Sequence, residues 1–145
     1  MAIWHGDVTL ELAQARREDT LNALLDIQIT ELGDDFLRGT MPVDRRTHQP
    51  MGILHGGASV VFAETLGSMA SYYCVDRSQY YCVGLDINAN HLRSVRSGLV
   101  IGTARPIHLG RTTHVWDIRI EDEAGKPVCI SRLTMAVLRL QGLPS

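Results

Sequence analysis

Between residues 24 and 32 hydrophobic and polar positions alternate: Leu25, Ile27 and Ile29 against Asp26, Gln28 and Thr30. A period of two predicts a half-buried strand. Gly33, Asp34 and Asp35 supply a turn, and 36–43 returns as a second strand. Ahead of them, Asp7 or Thr9 caps a short helix running to about Arg17, with Leu10, Ala13 and Leu21 on its inner face. A polar loop follows over 44–51. From Gly52 to Val75 the chain is apolar or small at nearly every position, which predicts a long helix buried on most sides. His55, Gly56 and Gly57 open it, and Arg77, Ser78 and Gln79 mark its exit.

Four more strands are expected at about 81–94, 99–108, 113–123 and 127–140, with breaks at Ser97-Gly98, Leu109-Gly110-Arg111 and Ala124-Gly125-Lys126. Short links favour antiparallel neighbours. Trp116, Ile118 and Ile120 would face inward, and Asp117, Arg119 and Glu121 outward. The pattern predicts an α+β chain, a sheet of about six strands with one long helix after the second. If the sheet curls, it buries the helix, and Ala63, Gly67, Ala70 and Ser71 let the helix lie close to the strands.

At 145 residues the chain is expected to be a single domain spanning 1–145. A net charge of −2 gives no electrostatic support for nucleic acid or an acidic membrane surface. Cys74, Cys82 and Cys129 are scattered and form no paired motif, so neither a disulfide framework nor a zinc knuckle is expected. Free thiols, and an N-terminus without the pattern of a signal peptide, lead to the expectation of a cytoplasmic protein. Glu64, with Ser59, Thr65, Ser68 and Ser71 around it, argues against a lipid-spanning role for the long helix.

Glu64 is the only carboxylate between Gly52 and Val75. A carboxylate in such a helix is costly unless something pairs with it or uses it. It is a structural residue bonded to a partner chain, or a catalytic base or nucleophile. No zinc-protease, Walker, dinucleotide or serine-hydrolase motif is present, and His48 and His55 are poorly spaced as ligands, so no metal is expected. Gln49, His55, Gly56, Glu64 and Ser68 do fall within twenty positions. Glu64 and Ser68 share a helix face. Gly56, at the helix start, offers a backbone N–H and the positive dipole end to a developing oxyanion. Gln49 can bind a carbonyl or orient water. Blander roles stand beside these: His55 as a cap, Ser68 bonded to the carbonyl four residues back, and Gln49 as plain surface. Eight residues separate Gly56 from Glu64, about 12 Å along a helix axis. The two cannot act on one carbonyl within one chain, but facing helices in a symmetric dimer would join them.

The run from Gln49 to Ser68 resembles the core motif of hotdog-fold acyl-CoA thioesterases. The likeness is to the clade with a helical Glu, whose members act on 1,4-dihydroxy-2-naphthoyl-CoA in menaquinone synthesis or on 4-hydroxybenzoyl-CoA. The likeness extends over Met41 to Asp44, Val83 to His91 and Ser131 to Thr134. It implies a curved antiparallel sheet wrapped around one central helix. It further implies hydrolysis of an aromatic acyl-CoA, with a proofreading type acting on acyl or aryl carrier proteins, or a non-catalytic acyl-CoA binding module, as the alternatives. Glu64 would be nucleophile or general base and Gly56 N–H the oxyanion donor, with Gln49 and His55 at the thioester carbonyl and Ser68 placing water or the acyl group. Val83, His91, Leu92, Arg93 and Ser94 would meet the ligand, and His108, Leu109, Gly110 and Arg111 would lie near CoA. No cofactor is implied, CoA being part of the substrate. Relatives are dimers of dimers with sites at the subunit interface. Arg93, Arg96, Arg105 and Arg111 are candidates for the CoA phosphates, or solvated strand ends.

Overall fold

The computed structural model describes residues 1–141. Thr9, not Asp7, caps α1 (Leu10–Gln14): its hydroxyl accepts from the Leu12 N–H. The helix stops at Ala15, well short of Arg17. Ala13 alone is buried; Leu10 and Leu21 are exposed rather than inward. Thr20 caps a further single turn, α2 (Leu21–Leu24), so the predicted first strand loses its beginning and β1 is Gln28–Leu32. A side-chain cap on a local turn has overridden the alternating pattern there.

β2 (Leu37–Pro42) pairs antiparallel with β1. The long helix α3 covers Gly56–Cys74. β3 (Tyr80–His91), β4 (Leu99–Leu109), β5 (Thr113–Glu121) and β6 (Pro127–Arg139) complete one six-stranded antiparallel sheet in the order β1-β2-β4-β5-β6-β3. The short-link expectation holds for β4, β5 and β6 but not for β3. β3 pairs with β6 at the far edge, and the segment 92–98 carries the chain across to β4.

Five strands, β2 to β6, touch α3. Strands lie about 4.8 Å apart, so a flat set of five would outspan a helix roughly 10 Å wide. The sheet therefore curls, giving the hotdog arrangement. Contact is close where Gly39 of β2 pairs with Gly102 of β4. A Cβ on Gly102 would lie 2.6 Å from a Leu66 methyl and 2.9 Å from the Phe62 ring. The two bare positions form the slot that seats α3. Phe62, Leu66, Trp116, Ile118, Ile120 and Leu133 are fully buried around it. Each such side chain contributes about 1.5–3 kcal/mol.

The helix is not covered on most sides, as its composition implied. Ser59, Phe62, Ala63, Leu66, Gly67, Ala70, Ser71 and Tyr73 are buried, but Gly57 and Tyr72 are exposed and Val60, Val61, Glu64, Thr65, Ser68 and Met69 are half-buried. Small apolar residues on that open side had made it look like core. Among the described residues no helix is long and apolar enough to cross a membrane.

Near its C-terminal end α3 is tied to the sheet by polar bonds. The Trp116 indole N–H donates to Ser71 Oγ at 2.6 Å, and His114 Nδ1 lies 3.0 Å from the same oxygen. Indole is a donor only, so the Ser71 hydroxyl proton is free for Nδ1 of a neutral imidazole. Burial, with the nearby His108, holds the His114 pKa below its usual value. The unfolded chain then binds a proton that the folded one does not. Stability is complete above about pH 6.5 and declines as pH falls through and below that value. The thermal midpoint of the wild type is expected to drop more between pH 7.5 and 5.5 than that of H114Q. Parallel curves would show that His114 is not responsible.

Candidate active site

The start of α3 is built by the loop before it. The Thr47 carbonyl accepts the His55 N–H, His48 bridges Leu54, and the Gln49 N–H donates to the Ile53 carbonyl. The tip, Gln49-Pro50-Met51-Gly52, is a turn closed from Gly52 N–H to the Gln49 carbonyl. Gly52 sits at φ +75°, a backbone region that favours glycine. Gln49 Oε1 accepts the Met51 N–H, which holds this half-buried side chain back on its own turn.

His55 is the N-cap, in extended backbone, and its Nδ1 accepts the Gly57 N–H at 2.8 Å. The capping role is real, and it places the ring proton on Nε2 of an exposed side chain. The Ala58 and Ser59 N–H groups bond the His55 carbonyl. Of the first four helical donors only the Gly56 N–H meets no acceptor among the described residues. An open cleft of about 360 Å³ lies there, lined by Ile53, Gly56, Ser59, His91, Arg93 and Val128 among others. The His91 ring presses on Gly56, its Nε2 being 3.0 Å from where a Cβ would stand. Leu92 and Ser94 line the same cleft. Four of the expected ligand residues thus surround the open donor.

Glu64 and Ser68 lie on the open side of α3, two turns and more from Gly56. Among the described residues no hydrogen-bond donor or cation meets the Glu64 carboxylate. It rests over Gly84 of β3, with Met135 of β6 behind. The Ser68 hydroxyl points to the Met135 sulfur at 3.7 Å, a weak acceptor that is readily exchanged. Gly84 and Met135 were not among the sequence candidates. A lone glycine inside a strand was the available signal, since it marks a bulge or a close approach.

The remaining candidates lie apart. Val83 is on the outer face of β3, away from α3, and is 39% exposed. His108 and Leu109 end β4 and Gly110 and Arg111 turn into β5, some ten residues and on the order of 30 Å along β4 from the cleft side. That length separates them from Gly56; Leu109 shares a row with His114, Met135 and Gly84, so β5 and β6 lie between it and the glycine beneath Glu64. Arg105 is committed elsewhere: it pairs with Asp35 at 3.1 Å and stacks on Phe36 at 4.6 Å. Arg93 stands exposed at the cleft. A larger cavity, about 550 Å³, flanks the other side of α3 near Ala13, Ile29, Thr65 and Met69. Its cations Arg16 and Arg17 are paired with Asp26 and Asp19, and it contains none of the five clustered candidates. Gly56 lies instead at the smaller cleft, and Glu64 and Ser68 lie on the open helix face.

Known proteins carry the same arrangement of elements. The thioesterase superfamily profile matches residues 51–129. The crystal structure of mutant thioesterase PA1618 (Q49A) from Pseudomonas aeruginosa superposes with a TM-score of 0.93 at 60% identity, covering 96% of this chain and 100% of that one. The 1,4-dihydroxy-2-naphthoyl-CoA hydrolase of Escherichia coli K12 is 53% identical over 136 residues, 94% of this chain and 99% of its own. The proofreading thioesterase EntH of Cronobacter turicensis is 52% identical over 136 residues, 94% of this chain and 98% of its own.

If His55 caps α3 as described, H55A loses an acceptor at the helix start. The expected cost is about 0.5–2 kcal/mol, read as a lower urea midpoint at unchanged slope. An unchanged midpoint would remove the capping role.

Proposed function

This chain belongs to the thioesterase superfamily, a thioester hydrolase of hotdog fold, and we propose that its substrates are aromatic acyl-CoA thioesters. One observation carries the reading. Among the described residues, the chain holds two unmet halves of an acyl-transfer site: a carboxylate without a partner at Glu64 and an N–H without an acceptor at Gly56. They are about 12 Å apart along one helix. A second chain supplies the missing half of each.

Two features of the protomer support that assembly. β3 is a twelve-residue edge strand paired only with β6 among the described residues, and it carries the exposed Tyr81, Val83 and Leu85. Long apolar edges call for cover. The open side of α3 adjoins the same edge through Glu64, which rests over Gly84 of β3. Pairing two copies there gives an isologous dimer whose sites lie between subunits, and dimers pair in turn.

In the assembled site the Gly56 N–H donates to the thioester carbonyl oxygen and holds the oxyanion as it forms. Glu64 then acts in one of two ways. Its oxygen bonds the acyl carbon, the C–S bond breaks, and water opens the mixed anhydride. Alternatively it takes a proton from water whose oxygen makes that bond. Both routes release the free acid and CoA. His55 Nε2–H and the Gln49 amide flank the carbonyl, Ser68 orients water or the acyl group, and Arg93 beside the cleft suits a CoA phosphate. The aromatic acyl group is supported by the likeness to the 1,4-dihydroxy-2-naphthoyl-CoA hydrolase. A second reading, the proofreading type with a carrier protein in place of CoA, draws on the 52% identity with EntH. Comparing kcat/KM for one acyl group on CoA and on a carrier protein separates the two.

On benzoyl-CoA, E64Q is expected to fold, to bind with little change in KM and to lose about 10²-fold or more in kcat. Near wild-type turnover by a folded E64Q would overturn the reading.

A further inference from the structure

We propose that Gly84, together with the β-bulge beside it, is a positioning residue that sets where the Glu64 carboxylate rests. The proposal builds on the role of Glu64 given above.

The bulge decides which residues of β3 face the helix. On β6, Cys129, Ser131, Leu133 and Met135 point inward and are buried. Residues paired directly across two strands share a face. Gly84 pairs with Met135, and Ile87, Ala89 and His91 pair with Leu133, Ser131 and Cys129. Gly84 and His91 therefore both face α3, although they are seven positions apart. Strict alternation would place them on opposite faces. The register shift between Gly84 and Asp86 inserts Leu85 and switches the inward frame from even to odd positions. One strand can thus present Gly84 to Glu64 and the His91 ring to Gly56.

Backbone conformation does not require glycine at 84, because its φ is not among the positive ones. Space does. A Cβ there would stand 2.6 Å from Glu64 Oε2 and 3.4 Å from Cδ, and 3.8 Å from the Met135 sulfur. No backbone atom is met within that range. The atom in the way is the end of a flexible side chain. The substitution G84A would therefore leave the fold intact and push the carboxylate back by about 0.8 Å to reach ordinary contact. Among the described residues no donor or cation would hold it in its former place. A displacement near 1 Å can cost about 10²-fold in a positioned reaction.

The test is a double-mutant set on one aromatic acyl-CoA: G84A, E64D and the pair together. G84A is expected to lower kcat roughly 10- to 100-fold with KM within about twofold, and to keep its melting temperature and oligomeric state. In the E64D background the shorter carboxylate no longer reaches Gly84. There, G84A should change the residual kcat by less than about twofold. G84A turnover within twofold of wild type would overturn the proposal. So would an equal fractional loss in both backgrounds, the mark of a structural role, and so would a G84A chain that fails to fold. Active E64Q would instead remove the role of Glu64 itself, an outcome read independently of these.

Discussion

Phe62 and Leu66 of α3 press into the slot left by Gly39 and Gly102, which face each other across β2 and β4. Everything else in the molecule is set by that seating. It fixes which arc of the helix is core and brings five strands around it. By the helical period of 3.6 it leaves Glu64, Ser68 and Gly57 on the arc that this chain does not cover. A carboxylate on the buried arc would have needed a charged partner inside the sheet. On the open arc it stays accessible without one. The polar tie at Ser71, His114 and Trp116 holds α3 a second time, near its C-terminal end.

Much of this was legible in the chain. The alternation of Trp116, Ile118 and Ile120 gave β5 and its inward face, and His55-Gly56-Gly57 gave the helix start and its open donor. Glu64 stood out because it was alone in an apolar run. What failed did so for physical reasons. Thr20 made a capped turn where alternation pointed to strand, because a local side-chain bond outweighed a weak periodic signal. The place of β3 beyond β6 depends on pairing between segments some fifty residues apart, which link lengths do not report. The half-open state of α3 was hidden because Val60, Val61 and Met69 on its uncovered side are as apolar as core residues.

Glu64 and Gly56 are linked by β3 as well as by α3. The helix spaces Glu64 and Gly56 too far apart to cooperate in one chain. The bulged strand lays a bare backbone against the first and an imidazole against the second. Its other edge pairs with no strand among the described residues.

The composite site is tested most directly by complementation between two inactive chains. E64Q removes the carboxylate. G56P removes the open N–H while suiting the helix, since proline is favoured at the first helical position. The φ of −67° and ψ of 130° at His55 also suit a residue that precedes proline. If Glu64 of one chain works with Gly56 of its partner, dimers assembled from equal amounts of the two variants contain one intact site in each heterodimer. Hydrolysis should then return to roughly a quarter of the wild-type rate per chain, although neither variant alone is active. A mixture that exchanges subunits and stays as inactive as its components would contradict the shared site.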